Sequence, residues 1–209
     1  MSIMGLRVTC VGHSYVRRLM EYRMAQGDNP DLLEVDGRWL ELSYVHKGGE
    51  NYAFFNRSPQ YRQRIVQSNP DIVLVVLGGN AVGSGVPIPE ASREMRDFHF
   101  WMREALPNAI IVIAECEPRY NTDCEIDEED LAPLDEDGVH RETFWSRRNA
   151  FNQAVNRTKL KDFTLRTARY LNRREFYGRW GVHFNDRGNR FYWGMVKDCL
   201  AKVIIRFNL

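Results

Sequence analysis

The strongest constraint on the fold is Asp71-Ile-Val-Leu-Val-Val-Leu77, an unbroken apolar run that stops at Gly78-Gly79-Asn80. A half-exposed strand alternates apolar and polar residues, whereas a run apolar at every position reads as a strand covered on both faces, as in a parallel sheet clothed by helices. Asn108 to Ala114 (NAIIVIA) repeats the pattern, and Leu6 to Val11 is a shorter version that leads straight into Gly12-His13-Ser14. Trp39 to Val45 alternates in part and ends in the turn Lys47-Gly48-Gly49, and Thr164 to Leu171 is a weaker strand. Near-helical spacing marks Tyr15 to Ala25, and Gln60 to Gln67 is opened by Ser58-Pro59 with proline in its first turn. Further helices are predicted over Glu90 to Leu106, Arg141 to Lys159 and Asn185 to Val203. Strands alternating with helices predict an α/β sandwich around a parallel sheet, with all 209 residues in one domain. In such sheets ligands sit beyond the carboxyl ends of the strands, near the switch point. That rule selects the loops beginning at Gly12, Lys47, Gly78 and Glu115.

Composition narrows the function classes only a little. With 44% hydrophobic residues the chain can bury a sizeable core, and its formal net charge of +1 points to no particular partner. The basic residues are 24 Arg against 5 Lys, so a local basic patch is compatible with the neutral total, although solvated helix faces explain such a count equally. Arg17, Arg18, Arg147 and Arg148 are the pairs to watch. No run of roughly 18 apolar residues is present, and the first residues read as a buried strand without the basic leader of a signal peptide. Cys10, Cys116, Cys124 and Cys199 show no metal or CxxC spacing, which suits a reducing, intracellular setting. Cys10 and Cys116 lie in or beside apolar runs and read as buried thiols. Cys116 to His140 is rich in Asp and Glu and reads as a long acidic surface loop.

Three short stretches carry residues suited to chemistry. Ser14, at the end of a strand and the start of a helix, has its N–H where developing negative charge is favoured. The plainer account is that Ser14 caps the helix. Asn80 can donate a hydrogen bond into the same cleft, with glycines that let the backbone approach closely, or it can simply be part of a glycine turn. His183, in Trp180-Gly-Val-His-Phe-Asn-Asp186, stands in a loop at the head of the last helix and can face the same end of the sheet. Neither a nucleotide-type phosphate loop nor a cofactor motif is present.

In order along the chain, these stretches resemble the four sequence blocks of the SGNH (GDSL-like) hydrolase superfamily. Gly12-His13-Ser14-Tyr15 stands where that family has Gly-Asp-Ser, and Gly48 or Gly49 where it has its second-block glycine. Gly78-Gly79-Asn80-Ala81 stands for Gly-x-Asn-Asp, and Val182-His183-Phe184-Asn185 for the block of the catalytic histidine. The resemblance implies a flavodoxin-like three-layer α/β/α sandwich with a parallel sheet of about five strands. It implies Ser14 as nucleophile and His183 as base, with the N–H groups of Ser14 and of Gly48 or Gly49 and the Asn80 amide as oxyanion hole. It departs at one important place. The family's acid lies three residues before the histidine, and Trp180 stands there. A Ser-His dyad, with His183 oriented by a backbone carbonyl or water, is then expected, and a slow or retired enzyme follows from the missing acid. Asp186 follows the histidine and is expected to point elsewhere. His13 and Ala81 replace the other two family aspartates.

The spelling Gly-His-Ser-Tyr-Val-Arg-Arg with Val-His-Phe-Asn also resembles the esterase-like domains encoded by some retrotransposons. Two function classes result. One is a serine esterase acting on short acyl esters, acetyl or lipid. The other is a catalytically silent module of the same fold that binds nucleic acid, a membrane surface or a protein partner.

Overall fold

The two unbroken apolar runs lie side by side in a six-stranded sheet. The computed structural model describes residues 5–119, 144–167, 170–171, 173–179 and 181–209. In order along the chain come β1 (Leu6–Gly12), α1 (Ser14–Ala25), β2 (Leu32–Val35), β3 (Arg38–His46), α2 (Tyr52–Arg57), α3 (Pro59–Gln67) and β4 (Ile72–Val76). They are followed by α4 (Gly79–Gly83), α5 (Ile88–Ala105), β5 (Ile110–Ala114), α6 (Phe144–Arg157), β6 (Phe163–Leu165), a 3-10 turn (Arg174–Phe176) and α7 (Asp186–Phe207).

The sheet order is β2-β3-β1-β4-β5-β6, with β3, β1, β4, β5 and β6 parallel. Each apolar run feeds two cores. Ile72, Leu74 and Val76 pack with Val16, Leu19 and the buried face of α7, while Val73 and Val75 face Phe55, Ile65, Met95, Phe98 and Phe151. Burial on both faces is why no polar residue interrupts the strand. The result is the three-layer sandwich expected, with helices on both sides of the sheet.

The sixth strand departs from the expected all-parallel sheet. β2 pairs antiparallel with β3, joined by the two-residue loop Asp36-Gly37 with Val35 opposite Arg38. Both loop residues take positive φ, 49° and 76°, as a type I′ hairpin requires. Two further differences lie near the cleft. Gly78 to Asn80 leads into the short helix α4, and α2 forms between the Lys47-Gly48-Gly49 turn and Pro59. The weak strand predicted over Thr164 to Leu171 is confined to Phe163–Leu165. The residues predicted as a surface loop from Cys116 are buried over Cys116 and Glu117, because Tyr192 of α7 and Asn152 of α6 supply partners for their polar groups. The rest of that stretch, 120–140, lies outside the described residues, as do Cys124 and Trp180. Among the described residues no helix is long and apolar enough to cross a membrane.

β1 is the switch point. The chain goes from β1 to β3 on one side, then returns to β4 on the other. Ser14 follows directly from the carboxyl end of β1, where the fold opens its crevice.

Candidate active site

Gly12 is what lets β1 turn sharply into α1. A Cβ there would stand 2.5 Å from the Val76 carbonyl oxygen and 2.5 Å from Val16 Cγ2, so only glycine fits. Ser14 is not the helix cap. That role falls to His13, whose Nδ1 accepts the Tyr15 N–H at 3.4 Å. Burial, then Arg119 and His183, lower the His13 pKa to about 3, which keeps the ring neutral and able to accept. The Ser14 hydroxyl is therefore left free, half-buried at the first position of α1.

His183 meets it. Its Nε2 lies 2.9 Å from Ser14 Oγ, across 169 positions of sequence. The segment around it alternates by task. Phe184 is buried against Tyr15, Tyr177 and Tyr192, with ring centroids 4.8, 5.2 and 5.3 Å away. Asn185 caps α7, accepting from the Gly188 N–H at 2.9 Å and donating to the Glu175 carbonyl at 2.8 Å. The Gly178 N–H donates to the His183 carbonyl at 2.8 Å, and the Tyr15 hydroxyl donates to the Val182 carbonyl. Tyr15 thus ties the histidine segment to the residue next to the serine.

The imidazole is half-buried. Burial first, then the guanidinium groups of Arg18, Arg119 and Arg17, lower its pKa to about 4. Among the described residues no side chain bonds its Nδ1, and Asp186, at the start of α7, makes no hydrogen bond with it. With the ring neutral, an Nδ1–H tautomer leaves Nε2 to accept the Ser14 proton. Position 180, where the family's acid would stand, lies outside the described residues.

Asn80 sits on α4 with its amide oriented from both sides. Its Nδ2 donates to the Glu50 carbonyl at 2.9 Å, and its Oδ1 accepts from Arg119 Nη2 at 2.8 Å. One amide hydrogen remains for a ligand. Gly48 and Gly49 lie exposed in the loop after β3, anchored by the Lys47 N–H to the Gly12 carbonyl at 3.1 Å. Through Glu50 this loop is joined to Asn80, but neither glycine hydrogen-bonds Ser14.

Sequence reasoning missed two residues here. Tyr15 reads as one more helix aromatic, and Arg119 falls in the stretch taken for a solvated loop. Arg147 and Arg148 are not a surface pair. Arg148 is buried with its Nε donating to the Cys116 carbonyl at 2.8 Å, and Arg147 Nε donates to the Val82 carbonyl at 3.1 Å. Among the described residues no group of three or more His, Cys, Asp or Glu side chains could hold a metal ion.

Solved structures of similar shape exist for nearly the whole chain. A psychrotrophic esterase from Pseudoalteromonas sp. superposes with a TM-score of 0.61 at 14% identity, covering 95% of this chain and 98% of that one. A carbohydrate esterase of family 3 from Talaromyces cellulolyticus gives 0.62 at 17% identity over 96% and 99%. A GDSL-like lipase from Bacteroides thetaiotaomicron gives 0.59 at 11% identity over 96% and 88%. The fold is that of the SGNH hydrolases. No family model and no curated protein matches the sequence.

The Tyr15 hydroxyl bonds the Val182 carbonyl next to His183. Tyr15→Phe keeps the buried ring but frees that carbonyl. If the Ser14–His183 contact serves catalysis, kcat against an ester is expected to fall roughly tenfold with KM within about twofold, because the imidazole loses its anchor while the cleft is unchanged. Equal kcat in both proteins would show that Tyr15 only fills space.

Proposed function

We propose that the protein is a serine esterase for short acyl esters, acetyl or lipid, working through a Ser14–His183 dyad. The 2.9 Å contact between Ser14 Oγ and His183 Nε2, at the switch point of the sheet, carries this reading. Similarity in fold to solved esterases and to an acetyl esterase supports it.

In this mechanism Ser14 Oγ attacks the ester carbonyl carbon as His183 Nε2 takes its proton. The carbonyl oxygen becomes an oxyanion held by the Ser14 N–H, an N–H of Gly48 or Gly49, and the free amide hydrogen of Asn80. A donor of this kind is worth about 3–4 kcal/mol of barrier. Imidazolium then protonates the leaving alcohol, and the C–O bond breaks to leave acyl-Ser14. Water, deprotonated by the same Nε2, attacks the acyl carbon; the bond to Ser14 Oγ breaks, the imidazolium returns its proton to Oγ, and the acid is released. With no carboxylate on Nδ1 among the described residues, the imidazolium is weakly stabilised and the reaction is slow.

Hydrolysis of p-nitrophenyl acetate and butyrate, with labelling of Ser14 by a fluorophosphonate, tests the proposal. Turnover with label on Ser14 supports it, while neither turnover nor label would remove it. The lack of an acid on Nδ1 among the described residues favours a second reading, a silent module that binds nucleic acid, a membrane or a protein partner. Steeply salt-dependent binding of nucleic acid, lost when Arg17 and Arg18 are reversed in charge, would replace the first reading with this one. The intracellular setting and the retrotransposon-type origin belong to the proposal as well, and rest on the cysteine pattern and the sequence resemblance.

A further inference from the structure

Arginines that serve the fold in this protein spend most of their N–H groups on several carbonyls or on a carboxylate. Arg23 is buried and bonds the carbonyls of Pro30, Asn29 and Leu32 together with the Tyr44 hydroxyl, and its Nε, which has no hydrogen-bond partner, lies 3.9 Å from the Asp28 carboxylate. Arg103 donates to the carbonyls of Leu160 and Ala109 and pairs with Asp162 at 2.5 Å. Arg119 is different. Its one hydrogen bond goes to Asn80 Oδ1, its Nε is buried without an acceptor, and it forms no ion pair among the described residues.

The position of this guanidinium is built in. Gly79 and Gly83 lie four apart on α4, hence on one face of it. A Cβ at Gly79 would stand 3.4 Å from Arg119 Nη2 and 3.5 Å from His13 Nε2, and one at Gly83 would collide with Arg119 Nη1. The two glycines form a slot, and the slot places the charge beside Asn80 and the residue preceding Ser14. Arg18, on α1 one turn after Ser14, likewise has a buried Nε without an acceptor and no ion pair among the described residues. Arg17 already pairs with Glu21 at 3.6 Å. Glu117, two residues before Arg119, is buried with its Oε1 accepting the Tyr192 hydroxyl at 3.0 Å, and it forms no ion pair with either arginine.

Arg119, fixed beside Asn80, and Arg18, one helical turn after Ser14, both bear on His183, and neither pairs with a carboxylate among the described residues, so each has donors left for an anion. A short acyl group has no charge of its own, so the anion belongs to the alcohol part of the ester. We propose that Arg119 and Arg18 form an anion subsite beside Ser14, and that the substrate is a short-chain ester whose alcohol carries a carboxylate or phosphate. The inference rests on the esterase reading. An anion seated there also cancels the positive field that opposes imidazolium at His183, so the substrate supplies part of what the missing acid would.

The test compares isosteric aryl acetates: 3-carboxyphenyl acetate, 3-phosphonooxyphenyl acetate and the neutral 3-carbamoylphenyl acetate. The parent protein is expected to prefer at least one charged ester by roughly 10- to 100-fold in kcat/KM, the range of one or two charge-assisted hydrogen bonds. Which of the two is preferred separates a carboxylate from a phosphate ligand. Arg18→Gln and Arg119→Gln should each collapse the charged-to-neutral ratio toward one, and Arg119→Lys should keep part of it. Melting curves identify a variant that fails to fold, and either arginine alone suffices for the comparison. A ratio near one in the parent, or a ratio that survives both substitutions, overturns the subsite. If no ester is hydrolysed the esterase reading fails separately. Calorimetric titration with 3-hydroxybenzoate against 3-hydroxybenzamide then reads the subsite alone, and equal binding overturns it.

Discussion

Alanine at His183 is expected to lower kcat for p-nitrophenyl acetate by roughly 100-fold, alanine at Ser14 by the same factor, and both together by no more. The size comes from a comparison. In a serine protease with a full triad, losing the serine or histidine costs about 2 × 10⁶ in kcat, whereas losing the aspartate alone costs about 3 × 10⁴. The quotient, somewhat under 100, is what a serine and a histidine still deliver when nothing acidic orients the ring. Non-additivity follows because each residue acts only through the other. Losses near 10⁶ would mean that an acid supports His183 after all, and additive losses would mean that the two do not form a unit.

The pH profile should carry the same signature. The base must be neutral to act, and burial and the three arginines lower its pKa to about 4. The acid limb of kcat/KM is therefore expected near pH 4, not near the 6.5 of a free imidazole, with a plateau through neutrality. A base this weak takes the serine proton reluctantly, which compounds the absence, among the described residues, of an acid on Nδ1. A limb at 6.5 would show that the arginines do not bear on the ring.

The central strands and two of the site's residues were legible because each is a local signal. Continuous apolar runs declare double-sided burial, and Gly-x-Ser at a strand end or Val-His-Phe-Asn before a helix declares a turn with a job. The Asp36-Gly37 hairpin went unread, because the four-residue β2 before it is too short to show a period. Arg119 could not be read this way. What marks it is a pair of glycines 36 and 40 positions earlier that open a slot, a relation between elements that no window contains. The Tyr15 to Val182 bond spans 167 positions for the same reason. The acidic character of the stretch after Cys116 predicts solvent, yet Glu117 is buried because α7 brings Tyr192 to it.

Acid is expected to destabilise the protein in two stages, with a break near pH 4.5. His13 and His99 are buried and neutral. Burial is the main cause in both, and it lowers each pKa to about 3, with Arg119 and His183 adding to the effect at His13 and Lys161 and Arg103 at His99. Unfolded, both bind protons below about 6.5, so stability is full above that pH and is lost as pH falls toward 3. Each withdraws about 1.4 kcal/mol per pH unit. Glu117 acts in the opposite sense. Burial raises its pKa from 4.5 to about 7, so between those values the native state holds a proton the unfolded chain releases, and stability rises as pH falls. From 6.5 to 4.5 one of these two histidines is thus offset, and half-buried His183, its pKa lowered to about 4, adds a smaller loss screened by solvent, so the net loss exceeds about 1.4 kcal/mol per unit. Below 4.5 the offset ends and the slope steepens by about 1.4 kcal/mol per unit. Urea titrations at pH 6.5, 5.5, 4.5 and 3.8 measure this directly. Glu117→Gln should steepen the upper slope by about 1.4 kcal/mol per unit. His99→Leu removes a ring whose nitrogens have no partner and should make it shallower by about the same amount. Parallel curves for all three proteins would mean that these buried groups titrate alike folded and unfolded, and that acid acts through the surface instead.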